Sequence, residues 1–204
     1  RTICFDVDGA LIGRLNERQL PVSEPELVST IETNGVRQSF TSFARDLGQC
    51  DIVYIAPDVP TDDKGRNALG DVESLIEEVN ANIHEAAILV VLCQVPPGFT
   101  RKIDRPAHLL FYQVETLIFG RAMERTLSPE RFIVGCADPQ LRLEPRYKEL
   151  LQAFSCPILP MRYESAELAK ISINMCLVAC ISVANTLAEL CWINTVTLFV
   201  PNFR

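Results

Sequence analysis

The chain has no C-x-x-C pair, more acidic than basic residues, and no glycine loop ahead of its first apolar run. Each absence excludes something. Structural zinc is held by four Cys or His ligands at short spacing. Cys176 and Cys180 share a helix face, but no His pair or second cysteine pair accompanies them, so a zinc site is not expected. Lys and Arg number 19 against 26 Asp and Glu, a net charge of −7. Nucleic acid needs a clustered cationic face, and this balance argues against one. No basic stretch with an apolar core opens the chain as a secretory leader would. Nor do the eight cysteines sit among Gly- and Pro-rich loops, as they would in a disulfide scaffold. Cys4, Cys50, Cys93 and Cys136 lie in or beside apolar runs, where a reduced thiol behaves as a small hydrophobe. A reducing, cytoplasmic setting is the expectation.

What is present is a globular composition, 48% hydrophobic and 22% charged, over 204 residues. That length can bury one good core, or one domain plus a piece of another. The opening is its most informative stretch. Thr2-Ile3-Cys4-Phe5 reads as a short strand running into Asp6-Val7-Asp8-Gly9. An acidic residue ending a second parallel strand is where a dinucleotide fold holds the adenosine ribose, and the glycine loop should then lie roughly 20 residues earlier. Either Asp6 has another role, or the chain is a piece of an enzyme whose first strand and phosphate loop precede it. Two other readings of these residues stay open. A strand followed by Asp-x-Asp-Gly resembles the nucleophile motif of haloacid-dehalogenase-type phosphatases, although Ala10 stands where Thr is usual. Asp and Gly also make plain strand-ending turns.

Short apolar runs then alternate with helical patterns. Strands are expected near 2–6, 36–40, 51–56, 87–93, 108–113, 131–136 and 157–160, and helices near 10–18, 71–83 and 144–154. The runs 51–56 and 87–92 are apolar without alternation, as buried parallel strands are. This order implies an α/β fold, a Rossmann-like doubly wound parallel sheet with ligands beyond the C-terminal strand ends. Proline-stiffened loops follow two of the strands, Asp58-Val59-Pro60-Thr61-Asp62-Asp63 and Gln94-Val95-Pro96-Pro97-Gly98. From 163 to 191 a long helix is expected, uncharged between Lys170 and Glu189. Its length suits a membrane span. Ser172, Asn174, Ser182, Asn185 and Thr186 lie inside it, however, and unpaired polar groups are costly in lipid, so an interface helix is the expectation.

With these features in place, the chain resembles the nucleotide-sugar dehydrogenases, the UDP-glucose/GDP-mannose dehydrogenase family. Asp6 and Asp8 are followed at family spacing by Leu15-Asn16, Leu20-Pro21, Glu24-Pro25 and Leu27. The match continues through Pro60-Thr61-Asp62-Asp63 and Gly65, Val95-Pro96-Pro97-Gly98, and Ser128-Pro129-Glu130-Arg131 with Gly135. It ends on Ser165-Ala166-Glu167, Lys170, Asn174, Ile181-Ser182, Asn185 and Leu190-Cys191. Any one of these motifs is weak, and their order is the signal. A phosphatase motif would predict none of them.

The resemblance implies NAD as cofactor and a nucleotide sugar as substrate. Two hydride removals would take its C6 alcohol to a carboxylate through a cysteine-bound thioester. Glu115, Lys170 and Asn174 match the catalytic positions, with Glu115 as acid/base and Lys170 and Asn174 donating to the C6 alkoxide. Without the family, Lys170 and Asn174 read as polar contacts on an apolar helix. Asp6, Pro60, Thr61, Gln94 and Pro96 match cofactor contacts. Substrate contacts fall on Glu115, Leu117, Lys170 and Asn174. The resemblance also divides the chain into a partial NAD-binding domain at 1–160 and the start of a helical dimerisation domain at 161–204. The C-terminal nucleotide-sugar-binding domain, with the nucleophilic cysteine, would lie outside. Arg131, sixteen residues after Glu115, resembles the UDP-glucose branch.

Departures accompany the matches. Gln113-Val114-Glu115 stands where the family has Asn-Pro-Glu, Phe119 replaces a second glutamate, and Gln94 replaces a threonine. Two functions are therefore expected: a piece of a UDP-sugar dehydrogenase, inactive by itself, or a non-catalytic homologue that binds nucleotide or a partner subunit. In both, helix 163–191 is expected to join two copies of the chain and not to cross a membrane.

Overall fold

The computed structural model describes residues 1–59, 69–115 and 117–194. Seven strands occur among them: β1 (Thr2–Phe5), β2 (Gln38–Thr41), β3 (Ile52–Ile55), β4 (Ile88–Val91), β5 (Leu110–Val114), β6 (Phe132–Cys136) and β7 (Ile158–Arg162). Each coincides with an expected apolar run to within a few residues. Six α-helices accompany them: α1 (Gly9–Asn16), α2 (Leu27–Thr33), α3 (Leu69–Asn82), α4 (Ala122–Leu127), α5 (Pro145–Gln152) and α6 (Tyr163–Asn194). Periodicity revealed neither α2 nor α4, because neither buries a residue.

The sheet departs from expectation in two ways. It is divided, with β1 and β2 pairing in parallel apart from a five-stranded sheet ordered β3-β4-β5-β6-β7. In the larger sheet β5 and β6 are antiparallel, and the other neighbours are parallel. A parallel return needs a crossover packed on the sheet. Among its described residues the segment between β5 and β6 carries only α4, six residues with no buried side chain, so the chain turns back at the strand ends instead.

Both faces of the larger sheet are covered. Ile88, Leu89, Val90 and Val91 are all fully buried, which is why β4 shows no alternation. Leu89 and Val91 join Val53, Ile55, Val72, Ile76 and Val79 in one core, beneath α3 and α6. Ile88 and Val90 face the other way, into a core with Phe111, Phe132, Val134, Tyr147 and Leu151 beneath α5. Local signals set the helix starts. Asp8 caps α1 by accepting from the N–H groups of Ala10 at 2.8 Å and Leu11 at 3.1 Å. Glu144 caps α5 ahead of Pro145.

Helix α6 runs back along the sheet. The Tyr163 hydroxyl donates to the Leu110 carbonyl at 2.8 Å, and Tyr163 and Ala166 are buried. The approach depends on Gly135 of β6. A Cβ there would lie 2.9 Å from Tyr112 Cβ, 3.0 Å from Ala166 Cβ and 3.2 Å from Tyr163 Cα. At 1.5 Å per residue the 32-residue helix is roughly 48 Å long, while a five-residue strand spans about 16 Å. Most of α6 therefore overhangs the sheet, and Ile173, Leu177, Val178, Ile181 and Leu187 are exposed.

Gly135→Val should destabilise the chain by about 1–3 kcal/mol through overpacking. Gly13→Ala, inside α1 with nothing within 4 Å of the new methyl group, should leave stability unchanged or raise it by up to about 1 kcal/mol. Urea unfolding followed by circular dichroism would measure both, and equal stability of the two variants would contradict this account of how α6 is seated.

Candidate functional site

Strands β3, β4 and β5 run parallel, so their C-terminal ends share one edge of the sheet. Gln94 and Pro96 lie just past β4, and Glu115 lies just past β5. Helix α6 climbs the face to the same edge. There the Lys170 ammonium donates to the Glu115 carbonyl at 3.0 Å and to its carboxylate Oε2 at 3.2 Å. One turn further on, the Asn174 amide donates to Gln94 Oε1 at 2.6 Å. Glu115, Lys170, Asn174 and Gln94 are thus brought together from three elements. The ion pair is partly shielded, with the Lys170 side chain 14% exposed and that of Glu115 30% exposed. The other Glu115 oxygen accepts from the Leu117 N–H, so Leu117 contributes its backbone while its side chain is exposed. Gln113 joins no part of this cluster, since its amide oxygen accepts from the Tyr147 hydroxyl at 2.8 Å.

The loop after β4 is pinned by a carboxylate whose role the sequence did not reveal. Glu167 is fully buried and accepts from the Gly98 N–H at 2.5 Å and the Thr100 N–H at 2.8 Å. Gly98 sits at φ +90, which suits glycine. Glu164, one turn earlier on α6, forms an ion pair with Arg101. The first turns of α6 are therefore bound to 98–101 at two points. Glu24 acts similarly on the loop after β5, accepting from Gly120 N–H at 2.8 Å and Ala122 N–H at 3.2 Å. The sequence signal for Glu167 is its place in the Ser165-Ala166-Glu167 motif, three positions before Lys170, which marks the residue without showing what it holds.

Asp6 follows β1, and its Oδ1 accepts from the Asp8 N–H at 2.8 Å. Asp8 is spent on capping α1, so the two aspartates do not form a paired acid/base and nucleophile. Pro60 and Thr61 lie outside the described residues. Beside the cluster, Val114, Ile118, Ile173, Arg125 and Arg131 line a cavity of about 370 Å³. Glu130 bridges its two arginines, at 2.7 Å to Arg125 and 3.3 Å to Arg131. The Arg125 Nε is buried there without a hydrogen-bond partner.

Cys93, at the end of β4, is the thiol nearest this chemistry. Burial pushes it up to about 11, with the Lys170 charge acting weakly the other way, and its Sγ lies 3.6 Å from the Ile55 carbonyl. Such a thiol is protonated at neutral pH and is no nucleophile. All eight cysteines are free, and no group of three or more metal-ligating side chains occurs among the described residues.

Glu167→Gln keeps one oxygen acceptor in place of two. It should leave a backbone N–H unpaired and cost about 1–3 kcal/mol, with Gly98 and Thr100 amides exchanging faster by hydrogen-exchange mass spectrometry. Unchanged exchange across 96–102 would mean that the carboxylate does not hold this loop.

Residues 1–155 match the model of the UDP-glucose/GDP-mannose dehydrogenase family, NAD binding domain. Among curated relatives, the UDP-glucose 6-dehydrogenase TuaD of Bacillus subtilis is 26% identical over 94% of this chain and 44% of its own length. A UDP-glucose 6-dehydrogenase of Pseudomonas aeruginosa is 28% identical over 92% and 45%. A UDP-glucose dehydrogenase structure from Pyrobaculum islandicum has a TM-score of 0.79 and 26% identity, covering 93% of this chain and 47% of that one. The chain spans a little under half the length of these relatives. With 155 of its 204 residues inside the family match, the chain belongs to the UDP-glucose/GDP-mannose dehydrogenase family, by way of that family's NAD-binding domain.

Proposed function

We propose that the chain is the cofactor half of an NAD-dependent enzyme that oxidises the C6 alcohol of a nucleotide sugar, UDP-glucose foremost, to the carboxylate. The observation that carries this is the convergence of Glu115, Lys170 and Asn174 at the C-terminal edge of parallel strands, where such sheets bind ligands. Lys170 and Asn174 present an ammonium and an amide from one helix face to the same edge. In this role they give up their contacts with Glu115 and Gln94 and donate to the oxygen on which charge develops. Glu115 then holds the proton that the alcohol releases.

The fit to NAD is partial. Asp6 offers a carboxylate at a strand end, which suits a ribose 2′-hydroxyl and repels a 2′-phosphate. Gln94 and Pro96 stand at the same sheet edge as Glu115. No Gly-x-Gly pair for a pyrophosphate occurs in these residues. NAD, when bound, supplies the hydride acceptor for both oxidations. By the family resemblance the thiol that would carry the intermediate belongs to another domain, and burial raises the Cys93 thiol at this edge to about 11. The Arg125 and Arg131 cavity suits the anionic end of the substrate, and a cytoplasmic setting suits eight free cysteines.

Two observations favour the rival, a non-catalytic homologue. Gln94 replaces the family's threonine and is already bonded to Asn174, while Phe119 is 95% exposed at a glutamate position. A chimaera separates the two readings. Residues 2–191 replace the matching segment of the Pseudomonas aeruginosa relative, and NADH formation from UDP-glucose is followed by absorbance. Activity should appear and fall at least a hundredfold with Lys170→Met or Glu115→Gln, a loss typical of removed acid/base or oxyanion groups. A folded but inactive chimaera would favour the rival. The 204-residue chain by itself should form no NADH.

We further propose that residues 1–160 form the cofactor domain and that α6 begins a helical domain through which two copies associate. By length and composition Tyr163–Trp192 is apolar enough to cross a membrane, and its most apolar stretch is exposed in the monomer. Asn174 at the site edge and Asn185 and Thr186 further along are costly in lipid and ordinary in a helix–helix interface. The chain should therefore dimerise in detergent-free buffer. Leu177→Glu with Ile181→Glu should shift it toward monomer by light scattering, with unchanged circular dichroism. Firm partitioning of the unmutated chain into lipid vesicles would support the membrane span instead.

A further inference from the structure

The antiparallel register of β5 and β6 sets Val114 opposite Ile133, and both line the cavity of about 370 Å³ beside the cluster. Ile173 of α6 and Ile118 of the loop after β5 extend the apolar lining. Its two cations are Arg125 of α4 and Arg131, the residue before β6. Val114 directly precedes Glu115, and Ile173 directly precedes Asn174. Cavity and cluster are therefore built on the same two stretches of chain.

The two guanidiniums already converge on one planar anion. Glu130 Oε1 accepts from Arg125 at 2.7 Å, and its Oε2 accepts from Arg131 at 3.3 Å. Hydrogen bonds from Arg125 and then Arg131 hold this carboxyl below the ordinary carboxylate range. One carboxylate does not use up the donors. A guanidinium carries five N–H groups in a fixed fork, and the Arg125 Nε is buried without a hydrogen-bond partner. A buried donor on a charged group is rarely left unpaired. The Glu130 side chain is 62% exposed and that of Arg125 is 26% exposed. Glu130 can therefore turn out to water while the fork of Arg125 stays in the cavity wall.

We propose that this cavity is a carboxylate site, and that it takes the uronate ring formed when the C6 alcohol is oxidised, the ligand displacing Glu130 from Arg125. Glu130 shows the geometry, since a planar carboxylate meets a guanidinium fork with two parallel hydrogen bonds. The size agrees. A cavity of about 370 Å³ is at the small end for ligand pockets, with room for one sugar ring and not for a whole nucleotide sugar. The proposal rests on the C6-oxidation reading for which carboxylate arrives, and it narrows the anion that the cavity takes to the one on the product. The alcohol is neutral and gains nothing from the arginines. Once oxidised, the same carbon carries a charge that they bind, so the site favours product over substrate.

Calorimetric titration of the 204-residue chain with sodium glucuronate, glucose and inorganic phosphate, at constant ionic strength, tests this. Glucuronate should bind about tenfold more tightly than glucose, or better. Arg125→Leu should weaken glucuronate by about tenfold or more, the loss that goes with a charge-assisted hydrogen bond. Arg125→Lys should weaken it nearly as much, because an ammonium has no fork. Glu130 competes for the same donors from an exposed position, so Glu130→Gln should tighten glucuronate by about threefold. Equal binding of glucose and glucuronate, unchanged binding in the Arg125 variants, or weaker binding in Glu130→Gln overturns the proposal. So does phosphate binding more tightly than glucuronate, which would assign the cavity to the substrate's diphosphate. The titration needs neither cofactor nor turnover, so its failure is distinct from failure of the chimaera.

Discussion

The depth at which α6 sits on the sheet sets the geometry of everything at the C-terminal edge. That depth is available because β6 presents Gly135 beneath Ala166 and Tyr163. The same register places Glu167 against the backbone of 98–100, Lys170 against Glu115, and Asn174 against Gln94. A bulkier residue at 135 would lift the helix at its first turn, and all three contacts lie further along the same rod. Packing in the core and chemistry at the edge are therefore one constraint, expressed at successive turns of one helix.

The reversal between β5 and β6 makes this possible. Had β6 continued parallel to β5, β7 would have ended at the functional edge, and α6 would have started there and run away from it. Because β6 and β7 run downward, α6 starts at the far end, with Tyr163 beside Leu110, and reaches Glu115 after two turns. The short α4 segment, which buries nothing, thus decides which end of the long helix meets the C-terminal edge of β3, β4 and β5.

Much of this was legible in the residues. All seven strands coincide with apolar runs, and the unalternating 87–92 run marked β4 as covered on both faces. Strand direction was not legible, because an apolar run carries no sign of its polarity. The division of the sheet was equally hidden, since Ile3 and Phe5 pack against the main core although β1 pairs only with β2. At the site, Lys170 and Asn174 were marked by their four-residue spacing, but their partners past the ends of β4 and β5 came into view through the family resemblance. Glu167 was recognisable as a motif residue and not as an anchor. Its partners are backbone N–H groups 67 and 69 residues away, and backbone groups leave no trace in composition.

Helix α6 contains neither proline nor glycine along its 32 residues, the residues that most often break such a rod. A rod without a joint transmits tilt. Whatever grips the overhanging turns from Met175 to Trp192 therefore also levers the turns that hold Lys170 and Asn174. Through Glu167 the same lever reaches the Gly98 loop. The exposed turns and the turns that hold the cluster at the sheet edge thus share one mechanical part, so neither can shift alone.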